Sequence, residues 1–184
     1  MLICDTHADT LYALSAPDRP AGTPLDVTAE LLTAAGGVRV QCLALFVCTG
    51  GMRMRPTIVE RELQAFEGLK AKGFCQITEL SQAREGVANA MLTIEGGEAF
   101  GGDAAQVDRF ADLGVRMAAL VWNNENGVAH PALTGSGEGL TPLGWDIVRR
   151  MRSRHMAVDV SHLNERGFYD LLDGEAPPLA SHSC

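Results

Sequence analysis

Three histidines and two carboxylic acids stand near the ends of strand-like segments that are far apart along the chain. They are His7, Asp9, Glu95, His162 and His182. On a strand, side chains separated by one residue project from the same face, so His7 and Asp9 form a pair of neighbouring donors. Imidazole nitrogens combined with carboxylate oxygens suit zinc and similar divalent cations. Taken together, the set predicts a metal centre.

Each of these residues also has a plain structural explanation. His7 or His182 alone is more often a core or rim histidine than a metal ligand. Glu95, which precedes two glycines, and Asp9 are suited to capping a helix or a turn. The joint order and spacing of all five residues favours metal binding. Asp5 shares the parity of His7 and Asp9, and it is interpreted as an outer partner or a solvated charge.

Apolar strand-like segments alternate with amphipathic helical patterns along the chain. The predicted strands are residues 2–7, 38–48, 90–95, 116–122, 156–162 and 178–183. The predicted helices are residues 56–72, 103–113 and 164–172, with a further helix that Thr141 caps and Pro142 opens. Two long connections, residues 11–26 and 123–139, are interpreted as loops. Continuous apolar strands separated by helices indicate a parallel sheet covered on both faces.

Two parallel α/β architectures fit this alternation. A doubly wound sheet binds its ligand in one crevice, where the strand order reverses. A (β/α)8 TIM barrel gathers side chains from the C-terminal ends of many strands around one mouth. Because the candidate ligands end four different strands, we predict the barrel. A complete barrel has eight strands and usually ~250 residues. We therefore expect residues 1–184 to form a single barrel domain that is C-terminally incomplete, with about the first six βα units.

The composition argues against several classes of protein. The formal net charge is −8, from 23 acidic and 15 basic residues, so neither nucleic acid nor an anionic membrane is expected as a partner. No apolar run approaches the ~20 residues that span a bilayer. The early charge at Asp5 predicts that there is no signal peptide. The 5 cysteines show no paired spacing and are interpreted as buried, reduced thiols, so we expect a cytoplasmic protein.

Six short motifs follow one another along the chain. They read Asp-Thr-His-Ala-Asp-Thr at residues 5–10, Ile-Glu-Gly-Gly-Glu at 94–98, Leu-Val-Trp-Asn-Asn-Glu-Asn at 120–126, Gly-Leu-Thr-Pro-Leu-Gly at 139–144, Val-Asp-Val-Ser-His-Leu at 158–163 and Ala-Ser-His-Ser at 180–183. In this order they resemble the motifs of the membrane (renal) dipeptidase family, peptidase family M19. The resemblance implies an amidohydrolase-like metal-dependent hydrolase: a (β/α)8 barrel with a binuclear zinc centre that cleaves dipeptides to free amino acids.

Carried over residue by residue, the resemblance implies that His7 and Asp9 bind one Zn²⁺ and that His162 and His182 bind the other. Glu95 would bridge both ions and be the catalytic carboxylate present in this chain. The chemistry agrees, since a carboxylate can span two cations ~3.5–4 Å apart whereas a histidine serves one. A water that bridges the ions would be acidic enough to attack the peptide bond, and one ion would polarise its carbonyl.

The chain departs from the family pattern in two places. Some members bind the peptide carbonyl with a histidine where this sequence has Trp122, whose indole donates one hydrogen bond but carries no proton charge. That role is then lost or passes to Asn123, Asn124 or Asn126, and Trp122 serves equally well as an apolar wall. Trp122 and Asn123 are the predicted substrate contacts. The family's substrate-binding arginine and acid–base aspartate fall beyond Cys184, so we expect little or no turnover from this chain.

Three functions remain open from the sequence. The first is a cytoplasmic zinc dipeptidase with a small dipeptide substrate, and a homodimer is left open as its oligomeric state. The second keeps the metal barrel but acts on another amide, such as a lactam or an N-acyl amino acid. The third is a non-catalytic, metal-binding remnant. Two residues are given structural roles: Asp159 is expected to face away from His162, and His130 is expected to be solvent-exposed.

Overall fold

A computed structural model describes residues 1–49, 56–172 and 177–183 as parallel strands that alternate with helices. The strands in these ranges are β1 (Leu2–Asp5), β2 (Val38–Phe46), β3 (Phe74–Gln76), β4 (Ala88–Glu95), β5 (Val115–Ala119) and β6 (Ala157–Asp159). The α-helices are α1 (Thr10–Ser15), α2 (Ala29–Ala34), α3 (Pro56–Ala71), α4 (Gln106–Asp112), α5 (Pro142–Ser153) and α6 (Glu165–Leu172). The chain forms two compact units. Unit 1 is Met1–Phe46 with Pro56–Thr93, and unit 2 is Val47–Arg55 with Ile94–Cys184.

Unit 1 is built on parallel strand pairs. Strand β1 pairs with β2 from Leu2 opposite Val38 onward, and β3 pairs with β4 from Phe74 opposite Ala88 onward. Helices α1 and α3 pack against each other and against β2. The core of this unit consists of apolar side chains with almost no exposed surface. These include Leu11, Leu43, Leu45, Val59 and Phe66.

Helix α3 also carries a carboxylic acid into the interior of unit 1. Glu62 is fully buried, and neither of its oxygens makes a hydrogen bond of ordinary geometry within the described part of the chain. The pKa of Glu62 is raised to about 8, mainly because the side chain is buried and also because of the negative charge of Asp9. The nearby backbone of Phe46 and the charge of Arg61 lower that pKa, but by less. Glu62 is therefore neutral in the folded protein at pH 7.

The buried Glu62 predicts a pH dependence of stability. Its pKa in the folded state lies above its ordinary value of 4.5, so the folded state holds a proton that the unfolded chain has released. The free energy of unfolding should then fall as the pH rises from about 5 to about 8, by up to about 1.4 kcal/mol per pH unit. Urea denaturation across this range measures the slope.

Two variants of α3 assign that slope to a residue. Glu62→Gln should flatten the slope and should be more stable than the wild type at pH 8.5, because the amide stays neutral. Glu60→Gln replaces an exposed carboxylate in the same helix and should leave the slope unchanged. A slope that persists in Glu62→Gln would assign the dependence to another group.

Unit 2 has its own parallel pair and a well-defined helix. Strand β5 pairs with β6, with Met117 opposite Ala157, and Leu179 adds a parallel bridge beside Asp159. Helix α5 begins as predicted, since Thr141 Oγ1 accepts a hydrogen bond from the Gly144 amide at 3.0 Å. Its apolar stripe is buried. Arg150 in its last turn and Arg154 just after it form ion pairs with Asp108 and Asp112 of α4.

The structure corrects several predicted boundaries. The first strand ends at Asp5, so His7 and Asp9 lie in the connection to α1, and the period-two rule does not set their directions. Strand β6 is three residues long rather than seven. Residues 178–183 form a bridge at Leu179 instead of a full strand. The short elements β3, α1 and α2 were missed, because segments of three to six residues carry little periodicity.

The cysteines are only partly as expected. The described ones (Cys4, Cys42, Cys48, Cys75) form no disulfide with one another, and only Cys42 is buried. A hydrogen bond with Cys42 lowers the pKa of Cys4 to about 7, against the opposing effects of burial and of Asp5. Cys184 lies outside the described residues. Among the helices that the structure describes, none is both long and apolar enough to cross a lipid bilayer.

Candidate metal centre

Unit 2 brings together three of the five predicted ligands. Glu95 ends β4 and is 3% exposed, His162 follows β6, and His182 follows the bridge at Leu179. The Nε2 atoms of His162 and His182 lie 2.8 Å apart. Glu95 Oε1 lies 2.9 Å from His162 Nε2 and 3.3 Å from His182 Nε2. Two imidazole nitrogens and one carboxylate oxygen therefore converge on one point.

The backbone around Glu95 is tightly constrained. Its carbonyl oxygen accepts a hydrogen bond from the Val47 amide at 2.9 Å, and the Gly97 amide donates to Leu120 O at 3.1 Å. Between them Gly96 has a φ of +105°, which L side chains rarely adopt. A Cβ atom on Gly96 would lie 2.1 Å from Val47 O. The two glycines after Glu95 thus permit a close approach of backbones that fixes the carboxylate, rather than a helix cap.

His162 is held by its backbone and by an amide side chain. Its φ of +64° places it in the left-handed region, and its carbonyl oxygen accepts the Ala132 amide at 2.8 Å. Its Nδ1 lies 3.0 Å from Asn123 Oδ1. The ring of Trp122 lies beside it, with 6.3 Å between centroids and an interplanar angle of 55°. Asn123 was predicted as a substrate contact, and in the structure its side-chain oxygen contacts the ring of His162.

His182 is held by a second set of oxygens. Its Nδ1 lies 2.8 Å from Ser181 Oγ, and this hydroxyl donates a short hydrogen bond to Asp159 Oδ2. Ser161 Oγ lies 2.7 Å from the His182 carbonyl oxygen. Asp159 was assigned a structural role from its parity with His162. In the structure Asp159 accepts a hydrogen bond from the Ser181 hydroxyl, and this hydroxyl contacts His182. The serine directly before His182 in the sequence was the feature that could have indicated this contact.

The donor chemistry of this cluster fits a cation. A neutral imidazole carries one N–H, and in both rings Nδ1 faces an oxygen that can accept it, an arrangement that would leave a lone pair on each Nε2. Two such lone pairs and a carboxylate oxygen repel one another unless positive charge lies between them. Tetrahedral zinc with bonds of 2.0–2.1 Å places its ligand atoms about 3.3 Å apart. The observed separations of 2.8 to 3.3 Å are close to that spacing.

The other two predicted ligands belong to unit 1. His7 Nε2 lies 3.5 Å from Asp9 Oδ1, so the pair is close together. The His7 amide donates to Oδ1 of the exposed Asp5 at 3.2 Å, which makes Asp5 a local backbone partner. Asp9 occupies the position before α1, but its side chain does not cap that helix. The side chain of Gln41 donates to His7 O at 3.4 Å.

A buried polar pair shapes the loop after β5, and one of its members, Asn126, was named in the sequence analysis. Asn126 Nδ2 donates to Glu98 Oε2 at 2.9 Å and to Leu120 O at 2.8 Å. Asn126 is 2% exposed. Its contacts make it a support for this loop. In the same loop His130 Nδ1 lies 3.1 Å from Glu125 Oε1, so His130 is a half-buried paired residue and not a solvent-exposed one.

The sequence pattern of the membrane dipeptidase family (peptidase family M19) matches residues 1–184. Among curated proteins, an uncharacterised dipeptidase of Schizosaccharomyces pombe is 40% identical over 98 residues, covering 52% of this chain and 24% of the relative. Dipeptidase tcpJ of Claviceps purpurea is 34% identical over 103 residues, covering 54% and 24%. The matched segments thus span well under two thirds of these relatives.

Two solved structures match the chain over its whole length. One is a metallopeptidase from Rhodobacter sphaeroides liganded with a phosphinate mimic of the dipeptide L-Ala-D-Ala. It has a TM-score of 0.84 and 22% identity, and the match covers 100% of this chain and 65% of that one. The other is dipeptidase AC, a metallopeptidase of family M19. It has a TM-score of 0.81 and 26% identity, covering 100% and 63%.

These similarities confirm the predicted fold class. The chain is an α/β protein of the (β/α)8 TIM-barrel kind, with about the first six βα units. The match of the family pattern to every residue confirms the resemblance that the six motifs carried. The chain belongs to the membrane dipeptidase family, peptidase family M19.

Proposed function

We propose that the whole protein is a zinc-dependent dipeptidase with two metal ions. The observation that carries this proposal is the convergence of Glu95, His162 and His182 on one point, with both Nδ1 atoms already facing oxygens. Membership of the dipeptidase family supports the reaction. The dipeptide mimic bound to the Rhodobacter sphaeroides metallopeptidase supports a small dipeptide substrate.

Each residue has a part in this proposal. His162 and His182 would hold one ion, and the His7 and Asp9 pair of unit 1 would hold the other. Glu95 would serve both, because a carboxylate offers two oxygens. When bound, zinc would supply a Lewis acid for the scissile carbonyl and lower the pKa of a water toward 7. Asn123 would keep His162 oriented, and Trp122 would form an apolar wall beside that ring.

Trp122 favours a second candidate function, hydrolysis of another amide. An indole cannot act as a proton-carrying partner for a peptide carbonyl, so a member with tryptophan here would suit a substrate that does not need one. Lactams and N-acyl amino acids belong to this class. The two candidates share the metal centre and differ only in the bond that is cleaved.

Metal analysis of purified variants tests the centre. We expect two zinc ions per wild-type chain. His7→Ala/Asp9→Ala should lose one ion, and His162→Ala/His182→Ala should lose the other. His155→Asn, at an exposed histidine after α5 whose left-handed backbone asparagine tolerates, is the control and should keep both. A His7→Ala/Asp9→Ala variant that retains both ions would refute the assignment of those ligands.

Substrate profiling of the whole protein separates the two functions. L-L dipeptides, L-D dipeptides, N-acylated dipeptides and lactams are assayed at the same zinc concentration. Hydrolysis of unblocked dipeptides supports the dipeptidase. Turnover restricted to blocked or cyclic amides would instead select the second function.

A further inference from the structure

The hydroxyl of Ser181 stands between a buried carboxylate and a histidine of the proposed metal centre. Asp159 is 3% exposed, and its Oδ1 accepts the Ser161 amide at 2.9 Å and the Ser181 amide at 3.1 Å. Its Oδ2 accepts the short hydrogen bond from Ser181 Oγ. On the other side, Ser181 Oγ lies 2.8 Å from His182 Nδ1. All these atoms belong to unit 2.

Counting protons in this chain of contacts fixes the tautomer of His182. The Ser181 hydroxyl has a single proton, and it donates this proton to Asp159 Oδ2. The oxygen of Ser181 must then accept from the imidazole, which places the N–H on Nδ1. The other ring nitrogen, Nε2, keeps a lone pair. This is the atom that lies 2.8 Å from His162 Nε2 and 3.3 Å from Glu95 Oε1.

Ser161 contributes by holding the main chain of His182. Its Oγ lies 2.7 Å from the His182 carbonyl oxygen, and it accepts the His182 amide at 3.1 Å. Ser161 Oγ and Ser181 Oγ are 3.2 Å apart. Ser161 therefore holds the backbone of His182, whereas the hydroxyl of Ser181 contacts its ring.

We propose that Asp159 is a positioning residue which, through the Ser181 hydroxyl, keeps His182 in its Nδ1–H tautomer so that Nε2 is the metal donor. This inference rests on the proposed metal centre. Partners of this kind fix the ring orientation of metal-binding histidines, and their loss typically costs roughly 10–100-fold in metal affinity. The two histidines differ in this respect, because His162 faces the neutral amide oxygen of Asn123 whereas His182 is linked to a carboxylate.

The proposal predicts that the variant Asp159→Asn inverts the tautomer of His182. The amide oxygen can still accept the two backbone N–H groups, but the amide nitrogen replaces Oδ2 and must donate to Ser181 Oγ. Ser181 then turns its own proton toward His182 Nδ1. The tautomer is inverted, and Nε2 carries the hydrogen that blocks metal binding. Ser181→Ala removes the link without inverting it, and so does the double variant Asp159→Asn/Ser181→Ala.

Nitrogen-15 NMR of the imidazole rings in metal-free protein reads the tautomer directly. We expect His182 to carry its hydrogen on Nδ1 in the wild type and on Nε2 in Asp159→Asn. Asp170→Asn is the matched control, because Asp170 is a partly buried aspartate that accepts a backbone amide at 3.0 Å elsewhere in unit 2. It should leave the tautomer of His182 unchanged. An Asp159→Asn protein that is folded and still shows Nδ1–H overturns the proposal.

Competition titrations of Zn²⁺ against a chromophoric chelator supply the second readout. Asp159→Asn should bind zinc about 10–100-fold more weakly than the wild type. The double variant Asp159→Asn/Ser181→Ala should have the same zinc affinity as Ser181→Ala and should bind zinc more tightly than Asp159→Asn. Without the Ser181 hydroxyl, the asparagine cannot invert the tautomer of His182. Equal and additive losses in the two single variants would show a merely structural effect. If the wild type binds no zinc, the proposed function fails, while the NMR comparison still decides the tautomer.

Discussion

Replacing Glu95 by glutamine is expected to remove stable zinc binding from the protein. Glu95 Oε1 lies within 3.3 Å of both imidazole Nε2 atoms, and the side chain is almost completely buried. Glutamine keeps the volume but removes the negative charge, and its amide group donates hydrogens where a cation needs lone pairs. The loss of zinc affinity should exceed the roughly 10–100-fold loss that follows when a side chain that only hydrogen-bonds to a metal ligand is removed.

Isothermal titration with Zn²⁺ measures this loss. Glu165→Gln, at an exposed position in the first turn of α6, is the control and should bind as the wild type does. Circular dichroism checks that Glu95→Gln is folded. Because glutamine relieves the repulsion between Glu95 and two lone pairs, we expect the metal-free variant to be at least as stable as the metal-free wild type. Wild-type zinc affinity in a folded Glu95→Gln protein would contradict the metal centre.

The second large effect is expected from Gly96→Ala. A Cβ atom at this position would lie 2.1 Å from Val47 O and 3.2 Å from Glu98 Oε2, on a backbone with a φ of +105°. Backbone strain of this kind costs about 1–3 kcal/mol, and overpacking costs a further 1–3 kcal/mol, roughly. We expect the free energy of unfolding in urea to fall by about 2–6 kcal/mol, together with weaker zinc binding because the adjacent Glu95 moves.

Gly68→Ala is the matched control for this substitution. Gly68 lies within α3, its φ is ordinary, and nothing lies within 4 Å of the added methyl group. Alanine should therefore stabilise the helix by about 0.5–1 kcal/mol, the opposite sign. A Gly96→Ala protein as stable as the wild type would mean that the approach of Val47 to this backbone is not needed for folding.

The long elements could be predicted from the sequence because their signals agree. Thr141 and Pro142 mark the start of α5, and buried Ile147, Val148 and Met151 follow at helical spacing. Strand β3 offered only three residues, Phe74–Gln76, and so gave no period to detect. The alternation of apolar strands and helices was enough to predict a parallel α/β fold, but not the points at which the strands end.

The difficulty of locating strand ends also explains which residues of the candidate site could be predicted. Glu95 is the last residue of β4, so reasoning from a strand end placed it correctly. Asp159 is the last residue of β6, and His162 lies beyond it with a left-handed backbone. Parity along a strand therefore does not extend from one to the other, and it could not indicate that Asp159 contacts Ser181. A contact such as Ser181 with Asp159 spans 22 residues, and local patterns do not reveal it.

The left-handed backbone of His162 restricts how the metal preference of this protein could be re-engineered. Among residues with a side chain, aspartate, asparagine and histidine tolerate this conformation best. A hard oxygen donor that favours manganese or magnesium could therefore be introduced at this position at little conformational cost. A cysteine, which would favour softer ions such as Cu(I), would bring backbone strain of about 1–3 kcal/mol with it. Selectivity can thus be shifted more readily toward hard cations than toward thiophilic ones.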